Sequence, residues 1–118
     1  MAFYRCMALG GGTAKYIGGK TNPRSTNAFT LEAIGKYYAV YSYFLSSSQT
    51  GNYSITSNSG NITITQIDTY SYTHTSGKLT TKVYEIETSA ANQVIYGGSV
   101  GLSSIAVFMS AKQQSGGA

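Results

Sequence analysis

Few residues in this sequence have side chains that could do acid–base chemistry. The acidic residues are Glu32, Asp68, Glu85 and Glu87. Glu85 and Glu87 lie two residues apart, so in a strand both carboxylates point to the same face. Paired carboxylates are the groups that hydrolyse glycosidic bonds. The alternative is a solvated strand face close to Lys78 or Lys82, and we expect this second interpretation to hold.

A Ser-His-Asp arrangement would have to use His74, the only histidine, together with Asp68. The two residues share a parity, but along an unbroken strand they would lie about 20 Å apart. No nucleophile-elbow motif marks any serine as the attacking residue. The sequence therefore predicts no catalytic residues and no enzyme. A small glycan-cleaving enzyme that uses Glu85 and Glu87 is kept only as a third hypothesis.

Cofactors, disulfides and membrane segments are also not expected. Cys6 is the only cysteine, so no disulfide can form within the chain. Cys6 and His74 cannot supply the four ligands of a structural zinc site, and we predict no metal and no cofactor. No window approaches the roughly 20 apolar residues of a membrane span. The first residues lack the apolar run of a signal peptide, so the sequence predicts synthesis in the cytoplasm and no export by that route.

The positive charge is concentrated near the N-terminus. The net charge is +4, and residues 1–24 carry four cations and no acid, whereas residues 25–118 carry four cations and four acids. Four dispersed cations do not form a nucleic-acid footprint. We interpret residues 1–25 as a short strand at 2–9 followed by a Gly-rich basic segment, which is a linker or an arm that orders against a partner. The residues predicted to make this attachment or oligomer contact are Phe3, Tyr4, Arg5, Lys15, Lys20 and Arg24.

The longest apolar and aromatic run is Lys36–Leu45, and it predicts the central strand of the domain. Alternation places Tyr37, Tyr41 and Tyr43 on one face, with Ala39 and Leu45. The other face carries Tyr38, Val40, Ser42 and Phe44. Both faces are largely apolar, which favours a strand with neighbours on both sides. We expect one face to pack in the core and the other to meet a second sheet or a neighbouring subunit.

Further alternating runs predict seven or eight strands and no helix. They include a short strand at 53–56, a hairpin turn at 58–61, and a strand over 61–75. Ile67 has the opposite parity to Ile62 and Ile64, which either a bulge near Gln66 or burial of both faces would explain. Strands over 78–88, 93–96 and 102–111 follow. Strands of this number and spacing indicate an all-β antiparallel sandwich, jelly-roll-like. We assign residues 26–112 to this domain and residues 113–118 to a polar C-terminal tail.

Tyrosine is unusually frequent, at 11 of 118 residues, while charged residues make up only 10%. A tyrosine ring buries a large area but its hydroxyl needs a polar partner, so tyrosine suits interfaces as well as cores. Core packing, a subunit interface and a sugar-stacking surface all remain open from the sequence. The aromatic residues considered for an interface or a ligand are Tyr41, Tyr43, Tyr70, Tyr72 and His74.

Four stretches of the chain resemble small structural proteins encoded in phage and prophage tail regions. They are Met1-Ala-Phe-Tyr-Arg-Cys6 with Gly10-Gly11-Gly12, Gly35-Lys-Tyr-Tyr-Ala-Val-Tyr-Ser-Tyr-Phe44, Ser76-Gly-Lys-Leu-Thr-Thr-Lys-Val-Tyr84 and Gly101-Leu-Ser-Ser-Ile-Ala-Val-Phe108. The resemblance implies a virion component, such as a tail-fibre, baseplate or decoration subunit. It brings no catalytic residues.

The function expected from this resemblance is a non-enzymatic virion protein that forms a homo-oligomer, with a trimer as the expected symmetry. Its N-terminal arm would bind other virion proteins, and its β domain would contact host surface glycans. The alternative is a carbohydrate-binding module that acts without assembly. Neither hypothesis involves nucleic acid or insertion into a membrane.

Overall fold

The computed structural model describes residues 14–110, and all regular secondary structure in this range is β-strand. The seven strands are β1 (Lys15–Thr21), β2 (Phe29–Leu31), β3 (Gly35–Ser46), β4 (Ile62–His74), β5 (Gly77–Thr88), β6 (Gln93–Ile95) and β7 (Leu102–Met109). The strand predicted over residues 2–9 and the tail over 113–118 lie outside the described residues.

Five strands form one antiparallel sheet in the order β1–β7–β3–β5–β4, and β2 pairs with β6 in a second sheet. β3 is the middle strand of the large sheet and pairs with β5 on one side and β7 on the other. The prediction that Lys36–Leu45 is a central strand is therefore confirmed. It occupies this position because both of its faces carry mainly apolar side chains that profit from burial.

One face of the large sheet, called the inner face, is covered by β2, β6 and the connections beside them. Tyr37, Ala39 and Tyr41 of β3 point into this layer and are fully buried. Leu31 of β2 and Ile95 of β6 meet them from the covering side in the same hydrophobic cluster. Since a buried side chain of this size stabilises the fold by about 1.5–3 kcal/mol, this cluster is the main source of stability.

Residues 15–21 form the edge strand β1, although the sequence assigns them to a basic arm. β1 pairs antiparallel with β7 and has a bulge between Tyr16 and Gly18. Gly18 has a φ of +146°, which glycine adopts more readily than other residues. A Cβ at Gly19 would lie 2.6 Å from the carbonyl oxygen of Ile105. The two glycines thus let the strand fit beside β7, and the β domain begins at residue 15 rather than 26.

β4 and β5 form a long hairpin that turns at residues 75 and 76. The register shifts between Gln66 and Asp68, so Ile67 is the additional residue of a β-bulge. Of the two explanations for the parity of Ile67, the bulge near Gln66 is confirmed, and burial of both faces is wrong because Ile67 is 45% exposed. The bulge explains why Ile62 and Ile64 face the core while Ile67 is exposed.

Residues 53–56 do not form the predicted strand, and the turn at 58–61 does not close a hairpin. The only pairing in this stretch is an isolated bridge between Thr56 and Tyr96. β4 takes β5 as its neighbour instead, because the tight turn between them allows pairing from Ile62 to His74. Four residues at 53–56 could not offer a comparable ladder.

The all-β antiparallel class is confirmed, with two packed layers of unequal size. A jelly roll divides eight strands between two sheets, whereas the described part of this chain has five strands in one layer and two in the other. The small layer covers only the inner face. The opposite face of the large sheet, called the outer face, has no strand packed over it among residues 14–110.

Candidate interaction surface

The outer face exposes large apolar side chains to solvent. Residues directly opposite each other in neighbouring strands share a face, so the strand register identifies its members. The exposed ones are Tyr16 (59%), Tyr70 (68%), Tyr72 (55%), Leu79 (44%) and Leu102 (66%). Tyr16 lies apart from the others, beside Phe108 and the buried Tyr38. The other four cluster at one end of the face, and clustered exposure of this kind is typical of a protein interaction site.

Three of these exposed residues line up across the sheet with Phe44, which is half-buried. Phe44 lies opposite Leu102 of β7 on one side and opposite Leu79 of β5 on the other, and Leu79 lies opposite Tyr72 of β4. We call Leu102, Phe44, Leu79 and Tyr72 the apolar row. It crosses four strands without a charged residue, so it forms a continuous apolar strip at one end of the sheet.

A hydroxyl-bearing row runs beside the apolar row. It contains Ser104, Ser42, Thr81 and Tyr70 on successive strands. The Oγ of Ser42 and the Oγ1 of Thr81 hydrogen-bond each other at 2.9 Å. One of the two hydroxyls donates in this contact, so the sheet itself satisfies part of the hydrogen-bonding capacity of the row.

A shallow depression of about 390 Å³ lies at the β1–β7–β3 side of this strip. Phe44, Leu79 and Leu102 form its apolar lining, with Ser42 and Ser104 beside them. On the other side, the exposed rings of Tyr70 and Tyr72 stand on the edge strand β4. The face thus has a hollow at one side and projecting rings at the other.

His74 continues the aromatic line of β4, as the sequence predicts for this group. The rings of Tyr72 and His74 are stacked, with centroids 6.5 Å apart and planes 25° apart. Nδ1 of His74 is near the hydroxyls of Ser76 (3.2 Å) and Thr75 (3.3 Å) in the β4–β5 turn. Of the five predicted aromatic residues, Tyr70, Tyr72 and His74 lie together on the surface.

Tyr41 and Tyr43, the other two predicted aromatics, lie in the core and not on the surface. They are 0% and 3% exposed on the inner face, and burial raises the pKa of the Tyr41 hydroxyl above its ordinary value. A ligand or a subunit could reach them only if the covering layer moved away. Both rings share the inner face of β3 with Tyr37. Core packing, one of the three alternatives left open by the sequence, therefore describes them.

The two carboxylates nominated as a pair, Glu85 and Glu87, do share the outer face. The cation beside them is Lys36 of β3 rather than Lys78 or Lys82, which lie on the inner face. The Nζ of Lys36 lies 3.6 Å from Oε2 of Glu85, and Lys36 is directly opposite Glu87 in the ladder. The charged groups therefore gather at the end of the outer face away from the apolar row.

Asp68 and His74 are not brought together. The ladder between β4 and β5 is regular from Asp68 to His74, which keeps them about 20 Å apart. Oδ1 of Asp68 accepts a hydrogen bond of 2.8 Å from the backbone N–H of Thr69. No bend corrects the separation that the sequence predicts, so this pair does not form part of a triad.

Sequence reasoning missed a buried lysine. Lys82 of β5 is only 5% exposed on the inner face. Its ammonium donates 2.6 Å hydrogen bonds to Oδ1 of Asn52 and to the carbonyl oxygen of Tyr53, and it lies 5.6 Å from the centre of the Tyr43 ring. The alternation of β5 could have shown that Lys82 shares a face with Tyr84 and Ile86, but nothing in the sequence identifies its partners.

Tyrosine hydroxyls hold the same connection. The hydroxyl of Tyr84 accepts a hydrogen bond from the N–H of Ile55 (3.2 Å), and that of Tyr43 accepts one from the N–H of Tyr53 (3.3 Å). Residues 51–55 have no strand partner, so these side chains satisfy backbone groups that a ladder would otherwise pair. The abundance of tyrosine in the core thus has a structural cause.

The cations predicted for attachment are separated. Lys15 and Lys20 lie on the edge strand β1, where Lys15 is exposed and Lys20 is half-buried. Arg24 forms an isolated bridge with Asn27 beyond the end of that strand. Phe3, Tyr4 and Arg5 lie outside the described residues. The contacts predicted for these six residues therefore remain predictions.

A groove of about 470 Å³ separates β1 from β2. Ile17, Phe29 and Met109 supply its apolar lining, and Lys20 and Glu32 bring one charge of each sign. Tyr37 closes its floor with a hydroxyl that donates to the carbonyl oxygen of Ala33. The Tyr37 hydroxyl therefore serves the β2–β3 connection at the floor of this groove.

The described residues show neither a metal-binding cluster nor a membrane-spanning helix. Residues 14–110 contain no cluster of three or more His, Cys, Asp or Glu side chains suited to a metal ion. They also contain no helix that is long and apolar enough to span a membrane.

The fold and the surface define an all-β protein whose large sheet has an inner face covered by β2 and β6. Its outer face exposes apolar side chains at the end of Leu102 and Tyr72, while Tyr38 and Val83 farther along it are buried. A scan against protein-family models finds no match, and searches of curated proteins and of solved structures find no significant similarity.

Proposed function

We propose that this protein is a non-enzymatic structural subunit of a phage virion, in a tail appendage or as a capsid decoration. In this proposal it forms a homo-oligomer through the outer face of its large sheet. The virion assignment rests on the sequence resemblance described above. The assembly function rests on the observation that an apolar strip of the outer face is exposed in the described part of the chain.

Energetics support assembly through this face. Leu102, Leu79 and Tyr72 each expose between 44% and 66% of their surface, and covering apolar surface yields about 25 cal/mol per Å². The strip carries no charge that would have to be desolvated. An exposed apolar strip also promotes aggregation in an isolated domain, so a specific subunit contact gives it a function.

Sedimentation equilibrium of the full chain tests the assembly function. We expect a discrete oligomer at micromolar concentrations, and a monomer at several hundred micromolar would contradict it. Mass spectrometry of particles purified from a lysed culture of the source organism tests the virion assignment. The chain should be present at a fixed ratio to the major particle proteins, whereas its absence from particles would reject the assignment.

A specific observation favours a second candidate, a carbohydrate-binding surface. Tyr70, Tyr72 and His74 present three rings along one face of an edge strand, and the last two are stacked. Aromatic rings offer apolar faces to ligands and, in tyrosine, a hydroxyl for hydrogen bonding. Hydroxyl groups of Thr75 and Ser76 lie next to His74, so the line of rings also has polar neighbours.

A glycan array separates the two candidates. Binding by a monomer, with loss of signal in Tyr70→Ala and Tyr72→Ala, would support the carbohydrate-binding module. Thr73→Ala is the matched control, because Thr73 is exposed on the same strand but points to the opposite side of the sheet. No binding to any glycan together with a discrete oligomer would support the structural subunit alone.

A further inference from the structure

The two edge strands of the large sheet differ in how they are protected against pairing with a further strand. β1 carries Lys15, Lys20 and a bulge, all of which discourage such pairing. β4, at the other edge, contains no lysine, proline or glycine. Among residues 14–110 it pairs only with β5. The open edge of β4 is therefore a template on which another strand could pair.

The second half of β4 is accessible from both sides of the sheet. Every residue from Thr69 to His74 is exposed, although successive side chains point to opposite faces. Ile67, the additional residue of the bulge, interrupts the regular edge before Asp68. A partner strand would therefore pair with the segment from Asp68 to His74.

This segment, Asp68-Thr-Tyr-Ser-Tyr-Thr-His74, has the same order of tyrosine and threonine in both directions from Ser71. Around a two-fold axis, residues of antiparallel strands that are equally distant from the axis lie opposite each other. We propose that β4 pairs antiparallel with β4 of a second copy of this chain, about a two-fold axis that passes through Ser71 perpendicular to the sheet. This contact uses the sheet edge and goes beyond the outer-face contact of the proposed function.

Complementary side chains meet across this axis. Tyr70 lies opposite Tyr72 of the second copy on the outer face. Thr69 lies opposite Thr73 of the second copy on the other side of the sheet. Aromatic pairs and threonine pairs both stabilise neighbouring antiparallel strands. Every second residue also directs its N–H and C=O groups towards the open edge, so about six to eight backbone hydrogen bonds form between the copies.

Charge favours this register over a pairing centred on the middle of β4. Asp68, the only carboxylate of the strand, lies opposite His74 of the second copy. A pairing centred on the middle of β4 would place the two Asp68 side chains opposite each other and the two bulges side by side, at a cost in charge repulsion and in regular hydrogen bonds. In the proposed register, the bulge of each copy lies beside the turn at residues 75 and 76 of the other, so both ends of the ladder stop there.

The proposed pairing closes the assembly at two copies. Each copy has one β4 edge, and the two-fold axis uses both of them. The edges that remain are those of β1, where Lys15, Lys20 and the bulge oppose the addition of further strands. We therefore expect this contact to give a discrete dimer and not an open fibre.

Substitution of Ser71 tests the position of the axis, because this residue lies opposite its own copy. In Ser71→Lys two ammonium groups would face each other, and in Ser71→Glu two carboxylates would. We expect either variant alone to weaken self-association by about fivefold or more at low salt. An equal mixture of the two variants should restore the dimer, since a lysine then faces a glutamate. Sedimentation equilibrium measures the association in each case.

Thr73→Lys is the matched control for the charge at the axis. Thr73 points to the same side of β4 as Ser71 and is equally exposed, but its lysine would face Thr69 of the second copy. Association should therefore weaken less than in Ser71→Lys, and circular dichroism of the variants should match the parent. Equal weakening in both variants, without recovery in the mixture of Ser71→Lys and Ser71→Glu, would overturn the proposed register.

Disulfide trapping gives a second test, in chains in which Cys6 is first replaced by serine. Ser71→Cys should form a cross-linked dimer on mild oxidation, because directly opposite residues of antiparallel strands lie about 4.5–5.5 Å apart, within the reach of a disulfide. Thr73→Cys should not, because its two copies would be displaced by about 13 Å along the paired strands.

The outcomes separate this inference from the proposed function. A dimer that Ser71→Lys weakens and Ser71→Cys cross-links would support the β4 contact. If Leu102→Lys leaves that dimer intact and no larger oligomer forms, the β4 contact stands and the outer-face contact of the proposed function fails. An oligomer that Ser71→Lys leaves unchanged and Ser71→Cys does not cross-link would overturn the β4 contact and leave the proposed function in place. A monomer at several hundred micromolar would overturn both.

Discussion

The ammonium of Lys82 lies 2.6 Å from the carbonyl oxygen of Tyr53, across the space between the large sheet and its covering layer. Lys82 is nearly fully buried, and none of its hydrogen-bond acceptors is a carboxylate. A buried charge is costly unless polar groups replace its water. Here Asn52 and a backbone carbonyl do so, and in return the lysine fixes a connection that has no strand partner.

Replacement of this lysine should therefore loosen the connection. In Lys82→Met the apolar stem is kept, but the acceptors on Asn52 and Tyr53 lose their donor. We expect the free energy of unfolding to fall by about 1–3 kcal/mol. Urea denaturation measures this change, and hydrogen exchange should show faster exchange at residues 52–56.

The control for this variant is Lys78→Met, four residues earlier on the same strand. Lys78 points to the same side of the sheet but is exposed, so its replacement should change stability by less than about 0.5 kcal/mol. Equal stability of the two variants would show that the Lys82 hydrogen bonds contribute nothing.

Loss of the Tyr84 hydroxyl should have a similar, smaller effect. Tyr84→Phe keeps the ring in the core but leaves the N–H of Ile55 without its acceptor. We expect the free energy of unfolding to fall by about 1–2 kcal/mol, again measured by urea denaturation. Tyr70→Phe removes a hydroxyl from an exposed ring, and a loss of the same size there would argue against this hydrogen bond as the cause.

The strands that could be predicted from the sequence are those with a long alternating pattern. Gly35–Ser46 and Gly77–Thr88 follow it closely. The parity of Ile67 relative to Ile64 leaves a bulge or burial of both faces open, and only the structure decides for the bulge. β1 was missed because its glycines indicate a linker, whereas they serve its close fit beside β7. Alternation also suggested a strand at 53–56 that would pair with β4. The turn at 75–76 instead places β5 beside β4, and β5 is the longer partner.

The candidate surface could be predicted only in part. Parity showed that Tyr70, Tyr72 and His74 share a face, but it could not show which face of β3 would be covered. That choice depends on where β2 and β6 pack, and these strands have only three residues each. Lys82 illustrates the same limit, because its acceptors come from residues about thirty positions earlier in the chain.

Alkaline pH should destabilise the fold through its buried tyrosines. Burial raises the pKa of Tyr37, Tyr41 and Tyr84 above the ordinary value of 10.0. Above pH 10 the unfolded chain loses these protons while the native state keeps them, so stability falls as pH rises. Each tyrosine contributes up to about 1.4 kcal/mol per pH unit, from its unfolded pKa up to its folded pKa.

Urea denaturation at a series of pH values between about 9 and 11 measures this slope. Tyr84→Phe is less stable at neutral pH but has one buried hydroxyl fewer to titrate, so its slope should be shallower than that of the parent. A slope that does not change in Tyr84→Phe would show that this hydroxyl titrates equally in the native and unfolded states.

Gly97 should not tolerate a side chain, because the ring of Tyr41 packs directly against its Cα. A Cβ at this position would lie 2.6 Å from Cζ and 2.8 Å from Cε1 of Tyr41, and the fully buried ring has no free space into which to move. We expect Gly97→Ala to lower the free energy of unfolding by about 1–3 kcal/mol, the usual cost of overpacking a core. Gly101→Ala is the matched control, since a Cβ there meets nothing within 4 Å. Thermal denaturation of both variants should show a lower midpoint for Gly97→Ala only, and equal midpoints would mean that Tyr41 can move aside.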